Sequence, residues 1–412
     1  MRTRIFYGWF VVLSAHVLFA LIFGAAYSYG VFFSHIQKQF EISRFFAASI
    51  FSLTALIYYS IGIISGWIAD RTSSRLVVGS GVGLLALGFF LSSLDTGTLW
   101  LFLLSFCVFV GLGVGFVYVP TMAVMQRWFI KKRSRASGLA LAGTGVGMFV
   151  GPVAAGLLMQ CLSWQETLRV FAAAIIIVGL LAAAALVKSP AELGLFPDGQ
   201  VPDRGAANRS PTHQAGGMKL REAVRTGYFW CYFLAILFGS VGLFLAAVHI
   251  HPYARQYGIS ANHADLLIGF IGVGNVAGRF VLGGIGDKIG AKRLLVGLTL
   301  CLAGLNILWM FSQSFLGLSI FALFFGVANG GCISLYPAVA SAWFGTRNLG
   351  AILGALYMSV GIAAIGGGSF SGFLYDFYGN YTIPIGVSAL SALASAMFIV
   401  IAGRAVHAAH AR

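Results

Sequence analysis

What this sequence lacks first is charge. Only 9% of its 412 residues are Asp, Glu, Lys or Arg, against 59% hydrophobic, and the mean hydropathy is +0.91. A water-soluble chain of this length needs far more charge to cover its surface, so a soluble globular domain is excluded. Acid is scarcer still. The chain has eleven Asp and Glu, and none lies deep in an apolar segment. No carboxylate pair is placed for acid–base work, and no Ser-His-Asp set or phosphate-binding loop is present, so an enzyme is not expected. The five cysteines, Cys107, Cys161, Cys231, Cys301 and Cys332, stand singly, without CxxC spacing. They read as small core residues rather than disulfides or metal ligands. No metal and no cofactor are expected.

What is present is apolar length, glycine and positive charge. Twelve apolar segments can be drawn, near 6–33, 45–69, 76–94, 98–127, 136–161, 166–187, 227–251, 263–286, 292–312, 315–343, 348–373 and 381–403. Each is long enough to span a bilayer as a helix, and 54 glycines suit close helix contacts. The first follows Arg2 and Arg4 and is too long for a signal-peptide core, so it reads as an uncleaved membrane helix. The net charge of +15 invites a nucleic-acid reading, but its distribution argues against one. Among the 26 Lys and Arg, only Lys38, Arg44, Arg169 and Arg255 fall in one set of alternate loops. All the rest but Arg279 lie in the other set or at the termini. This bias puts both termini in the cytoplasm of a cell (inner) membrane protein.

The longest polar stretch, 188–226, carries Pro190, Pro197, Pro202 and Pro211 and reads as a cytoplasmic linker. It separates an N-terminal six-helix bundle, 1–187, from a C-terminal one, 227–412. Its end, Met218 to Arg225, reads as a short basic interfacial helix. The halves repeat. Gly66-Trp67-Ile68-Ala69-Asp70-Arg71, with Arg75 after it, matches Gly283-Gly284-Ile285-Gly286-Asp287-Lys288, with Lys292 and Arg293 after it. Gly111, Gly115 and Trp128-Phe129 match Gly326, Gly330 and Trp343-Phe344 at the same spacing. The expected fold is therefore an all-α membrane protein, with twelve transmembrane helices in two pseudo-symmetric six-helix bundles.

Arg279 is the one cation that cannot be moved to a segment end. It lies eight residues before Asp287, roughly 12 Å inside the polar end of its segment. A charge at that depth in lipid is costly, so it should face protein or a wet cavity. Its guanidinium is a planar fork suited to a carboxylate. Snorkelling to the interface and a structural helix–helix ion pair are the plainer alternatives. In the internal alignment Arg279 falls opposite Gly62 and Asn275 opposite Tyr58, so the cation belongs to the second half alone.

The two GxxxD[RK] loops, twelve helices and a midpoint linker resemble the major facilitator superfamily. That resemblance makes Asp70, Arg71, Arg75, Asp287, Lys288 and Arg293 gating or structural residues. Finer matches resemble its monocarboxylate transporter and oxalate–formate antiporter branch. They are Tyr7-Gly8-Trp9-Phe10 at the start, Trp128 to Gly143, Ser189 to Gly199, His249-Ile250-His251-Pro252-Tyr253, and Asn275 to Arg279. The resemblance implies that Arg279 binds the substrate carboxylate. Animal carriers of the branch have an aspartate where Asn275 stands and a first-helix lysine that is missing here. The amide of Asn275 shares a face with Arg279 and can hydrogen-bond a substrate, but it cannot carry a proton. Oxalate carriers add a lysine in helix eleven, whereas the stretch from Gly350 to Phe373 has no Lys or Arg. One buried cation balances one carboxylate, which favours a monocarboxylate of the lactate or pyruvate type.

With no deep carboxylate, the proton carrier is sought among histidines, whose charge changes near neutral pH. His249 is the one the family pattern carries, and His16 is weaker. Tyr118 and Tyr336, beside Pro120 and Pro337, are candidate substrate contacts, with aromatic packing as the alternative. The expected partners are a small monocarboxylate anion, a proton and the lipid bilayer, with the chain a monomer. The expectation is proton symport by alternating access. A carboxylate exchanger and a non-transporting carboxylate receptor are its rivals.

Overall fold

The computed structural model describes residues 6–42, 44–94, 98–199 and 216–410. The middle of the expected linker, with Pro202 and Pro211, lies outside the described residues. So do Asp95, Asp203, Arg204 and Arg209.

The described chain is helical almost throughout. Helices α1 (Gly8–Tyr27) and α2 (Tyr29–Gln39) form the first span, followed by α3 (Arg44–Arg71) and α4 (Ser74–Ser92). The fourth span is composite: α5 (Leu99–Leu103), a π-helical stretch Leu104–Val110, and α6 (Gly111–Trp128). Helices α7 (Arg133–Leu158) and α8 (Trp164–Ala184) complete the first half. After a single turn, α9 (Leu220–Ala223), come α10 (Gly227–Gln256), α11 (Ala261–Ile289), α12 (Ala291–Phe311) and α13 (Phe315–Phe344). The eleventh segment is α14 (Leu349–Ile365), a π-helical stretch Gly366–Phe370 and α15 (Ser371–Tyr378), and α16 (Thr382–His410) ends the chain.

Among the described residues, eleven helices are long and apolar enough to cross a membrane, and Leu349–Ile365 is a shorter apolar one. The chain is a multi-pass membrane protein. Its helices are apolar nearly all round because lipid bathes one side and protein the other. Large apolar side chains such as Phe149, Leu181, Phe311 and Leu390 are exposed, as lipid-facing residues must be. Pro120, Pro152, Pro252 and Pro337 sit inside continuous helices; neighbouring helices make such breaks tolerable. Polar starts are capped where the chain turns. Ser163 and Glu166 form a reciprocal capping box on α8, and Thr226 and Ser260 accept N–H bonds at the starts of α10 and α11.

Two expectations need correction. The basic helix expected over 218–225 is only the turn α9, because Thr226 already caps α10. The cysteines are not all core residues: Cys107 and Cys332 are buried, but Cys161 and Cys301 are exposed, and all five are free. Cys301 lies on the membrane helix α12, whose outer face can carry a small apolar thiol, and Cys161 lies in the turn after α7.

The chain packs as two compact units. One comprises Met1–Lys131, Leu139–Gly217 and Gly345–Ala355; the other comprises Lys132–Gly138, Met218–Phe344 and Leu356–Arg412. The start of α7 thus packs with the second unit, and the start of α14 with the first.

Candidate functional site

The second unit is built around the crossing of α11 and α13, and glycine sets its closeness. A Cβ on Gly274 or Gly278 would strike backbone of α13 at Leu323 and Val327. A Cβ on Gly326 or Gly330 would strike backbone of α11 at Ile271 and Asn275. Four glycines on two facing helices therefore let the backbones touch. The crossing fixes Arg279, which is one turn beyond Asn275 and only 7% exposed. A third segment closes on the same place. Gly138, at the start of α7, lies against the carbonyl of Arg279, and Gly283 lies against that of Ser134. The Arg279 side chain is buried in protein rather than exposed at a helix end.

Asn275 is half-buried, and its Nδ2 donates to Oδ1 of the buried Asn329 in α13 at 3.0 Å. In the sequence Asn329 stands out as a polar residue in an apolar segment, but Gly330 and Gly331 beside it suggest packing. A polar residue in an apolar span needs a partner, and that rule was the available signal. Tyr336 lies two turns further along α13. Its backbone carbonyl accepts from the Tyr232 hydroxyl at 2.8 Å. Its own hydroxyl fits into the space left by Gly239 of α10, beside Ser395 of α16. That placement is the one expected of a packing residue.

His249 belongs to another group in the same unit. It is buried, and its Nδ1 is 3.4 Å from the hydroxyl of Tyr381, whose ring centroid lies 4.3 Å from that of Tyr375. His251 nearby places Nε2 3.4 Å from Oδ1 of Asp265.

Tyr118 lies in the first unit, buried in α6, with Phe19 at 5.5 Å and Phe23 at 5.6 Å between ring centroids. Phe23 continues the cluster to Tyr27 and Tyr58. His16 uses Nδ1 toward the Leu139 carbonyl at 2.8 Å. A carbonyl only accepts, so this nitrogen carries the hydrogen.

The two loop aspartates each cap a helix. In the first unit, the Asp70 carboxylate accepts from the N–H of Gly350 at 3.1 Å and of Ala351 at 3.0 Å, at the start of α14. It also pairs with Arg127, whose Nε donates to the Thr346 carbonyl. In the second unit, Asp287 accepts from the N–H of Ser134 at 2.8 Å and of Arg135 at 3.0 Å, at the start of α7. Free N–H groups at a helix start attract a carboxylate. Arg71 lies over Trp67, 3.8 Å from its ring centroid, and Arg75, Lys288 and Arg293 are exposed. The buried partner of Asp70 is therefore Arg127, which sequence reading counted only as a loop cation. Lys188 donates to the carbonyls of Asp70 and Thr72, each at 2.9 Å. Burial first, and then Arg127, lowers its pKa.

The model of the Major Facilitator Superfamily matches residues 15–303 and 233–411. Monocarboxylate transporter 13 of Bos taurus is 28% identical over 390 residues, covering 94% of this chain and 87% of that protein. Agnestins efflux protein AgnL12 of Paecilomyces divaricatus is 27% identical over 382 residues, covering 92% and 83%. The sugar transporter structures share the fold. The proton:xylose symporter XylE superposes with a TM-score of 0.74 at 16% identity, covering 96% of this chain and 95% of that one. FucP in its outward conformation gives 0.70 at 18%, covering 95% and 98%.

Proposed function

The chain belongs to the Major Facilitator Superfamily and is a secondary transporter, and on that premise we propose that it carries small monocarboxylates, of the lactate and pyruvate type, together with a proton. The observation that carries this reading is Arg279, a buried cation well inside a membrane helix, ten residues before its end, whose own acids, Asp265 and Asp287, stand near its two ends. One interior cation suits one carboxylate, and a second carboxylate would be left without a counter-charge. Asn275 is proposed to orient the anion, and Tyr118 is kept as a candidate substrate contact. The distant relation to a monocarboxylate transporter supports the substrate class. His249 is proposed to hold the proton, and the Asp70 and Asp287 caps to break and re-form during the cycle.

A second reading, efflux rather than uptake, is favoured by the equally distant fungal efflux relative. One experiment tests the first: uptake of radiolabelled L-lactate into proteoliposomes, with and without an inward proton gradient, for the native chain and Arg279→Ala. Gradient-stimulated uptake that disappears in the variant is expected. Undiminished uptake by Arg279→Ala would refute the assignment of Arg279. Absence of lactate, pyruvate and acetate uptake would refute the small-monocarboxylate reading.

A further inference from the structure

Helices α12 and α16 leave between them an open groove of about 370 Å³ on the second unit. Val296 and Leu300 line one side, Leu393, Met397 and Ile401 the other, and Arg404 stands at one end. Leu300, Leu393, Met397 and Ile401 are all exposed, although they lie on membrane-spanning helices. In a bilayer such a groove faces hydrocarbon.

The end of the groove is not apolar. Arg404 is exposed there, and Lys292 of α12 lays its stem across Gly403, the residue before Arg404. A Cβ on Gly403 would come within 2.6 Å of Lys292 Nζ and 2.8 Å of its Cδ, so the glycine makes room for the lysine. Arg404 thus lines one end of an apolar groove, and Lys292 lies against the residue before it. Among the described residues neither takes part in an ion pair; Asp287, the acid nearest Lys292 in sequence, is engaged with the start of α7. Lysine and arginine at helix ends reach toward headgroups while their stems cover apolar surface. Juxtamembrane cations also attract anionic lipid.

We propose that this groove binds one anionic phospholipid, with an acyl chain along α12 and α16 and the phosphate between Lys292 and Arg404. The charge complementarity selects the occupant: a neutral lipid could fill the groove, but only a net anion gains from both cations. Each cation near the surface favours anionic lipid by about fivefold, so the pair gives roughly 25-fold.

The test is native mass spectrometry of the full chain, titrated with phosphatidylglycerol or phosphatidylcholine. One phosphatidylglycerol is expected to bind about 25-fold more tightly. Lys292→Ala/Arg404→Ala should erase that preference, Lys292→Arg/Arg404→Lys should keep it, and Leu300→Trp, which fills the groove, should abolish the bound lipid. Size-exclusion profiles establish that each variant is folded, and Arg404→Gln alone replaces the double variant if that one is not. Equal binding of the two lipids overturns the proposal, as does a preference that survives loss of the cations. Full competition by inorganic phosphate would show an anion site without a lipid. A dimer in place of the bound lipid would show that a second copy covers the groove.

Discussion

At the scale of single residues, the informative feature is how polar groups are satisfied inside an apolar unit. Asn275 and Asn329 form a hydrogen bond between α11 and α13, one turn from Arg279. Replacing either with leucine leaves the other amide buried. Such bonds in membranes are worth about 0.6 kcal/mol on average by double-mutant cycles. The variants Asn275→Leu and Asn329→Leu should each lower the thermal unfolding midpoint in detergent, and their cycle should show a coupling of that order. Strict additivity would mean that the contact contributes nothing. His249 supports a sharper prediction. With Gln there, a polar partner for Tyr381 remains but no titrating group does. Gradient-driven uptake should be lost, while lactate exchange at equal pH should persist. Uptake that still follows the gradient would remove His249 from the proton path. Arg279 was legible in the sequence because a cation in a long apolar run has nowhere else to go. Asn329 was not, because its partner lies 54 residues away and only packing brings the two together.

At the scale of helices, the crossing of α11 and α13 is a small-residue contact, and it makes a testable contrast. Gly330→Ala would push a methyl group into the carbonyl of Asn275, whereas Gly304, in α12, has open space around it. Gly330→Ala should sharply reduce the folded, monodisperse fraction, and Gly304→Ala should leave it unchanged. Equal behaviour of the two would mean that the crossing yields to an added methyl. The existence and order of the helices were legible, because apolar length survives any arrangement of neighbours. Their internal breaks were not. The π-helical stretches Leu104–Val110 and Gly366–Phe370 interrupt runs that read as continuous apolar segments. Hydropathy records how apolar a residue is, not which carbonyl its N–H reaches.

At the scale of the whole molecule, the two halves repeat the same device. Asp70 and Asp287 each cap the start of a helix, and Asp70 also pairs with Arg127. Asp70→Ala strands the Arg127 charge and should cost about 3–5 kcal/mol. Asp287→Ala loses a cap and should cost about 1 kcal/mol. Unfolding midpoints compared in one detergent check the order. Equal losses would show that Arg127 finds another partner, and Asp70→Ala/Arg127→Leu should recover much of the larger loss. The aspartates were legible from the repeated motif; their partners were not, since a cap joins residues as far apart as 70 and 351. Position 127 aligns with Ala342, and position 279 with Gly62. Each half therefore holds a buried cation that its counterpart lacks: Arg127 at a helix cap in one, Arg279 at the candidate site in the other. The duplication has become a division of labour. A chain rebuilt from two first halves would have two cap cations and no interior one, and a chain rebuilt from two second halves would have the reverse. Each hybrid could keep the architecture and lose a task, so the functional unit here is the unequal pair, not the repeat.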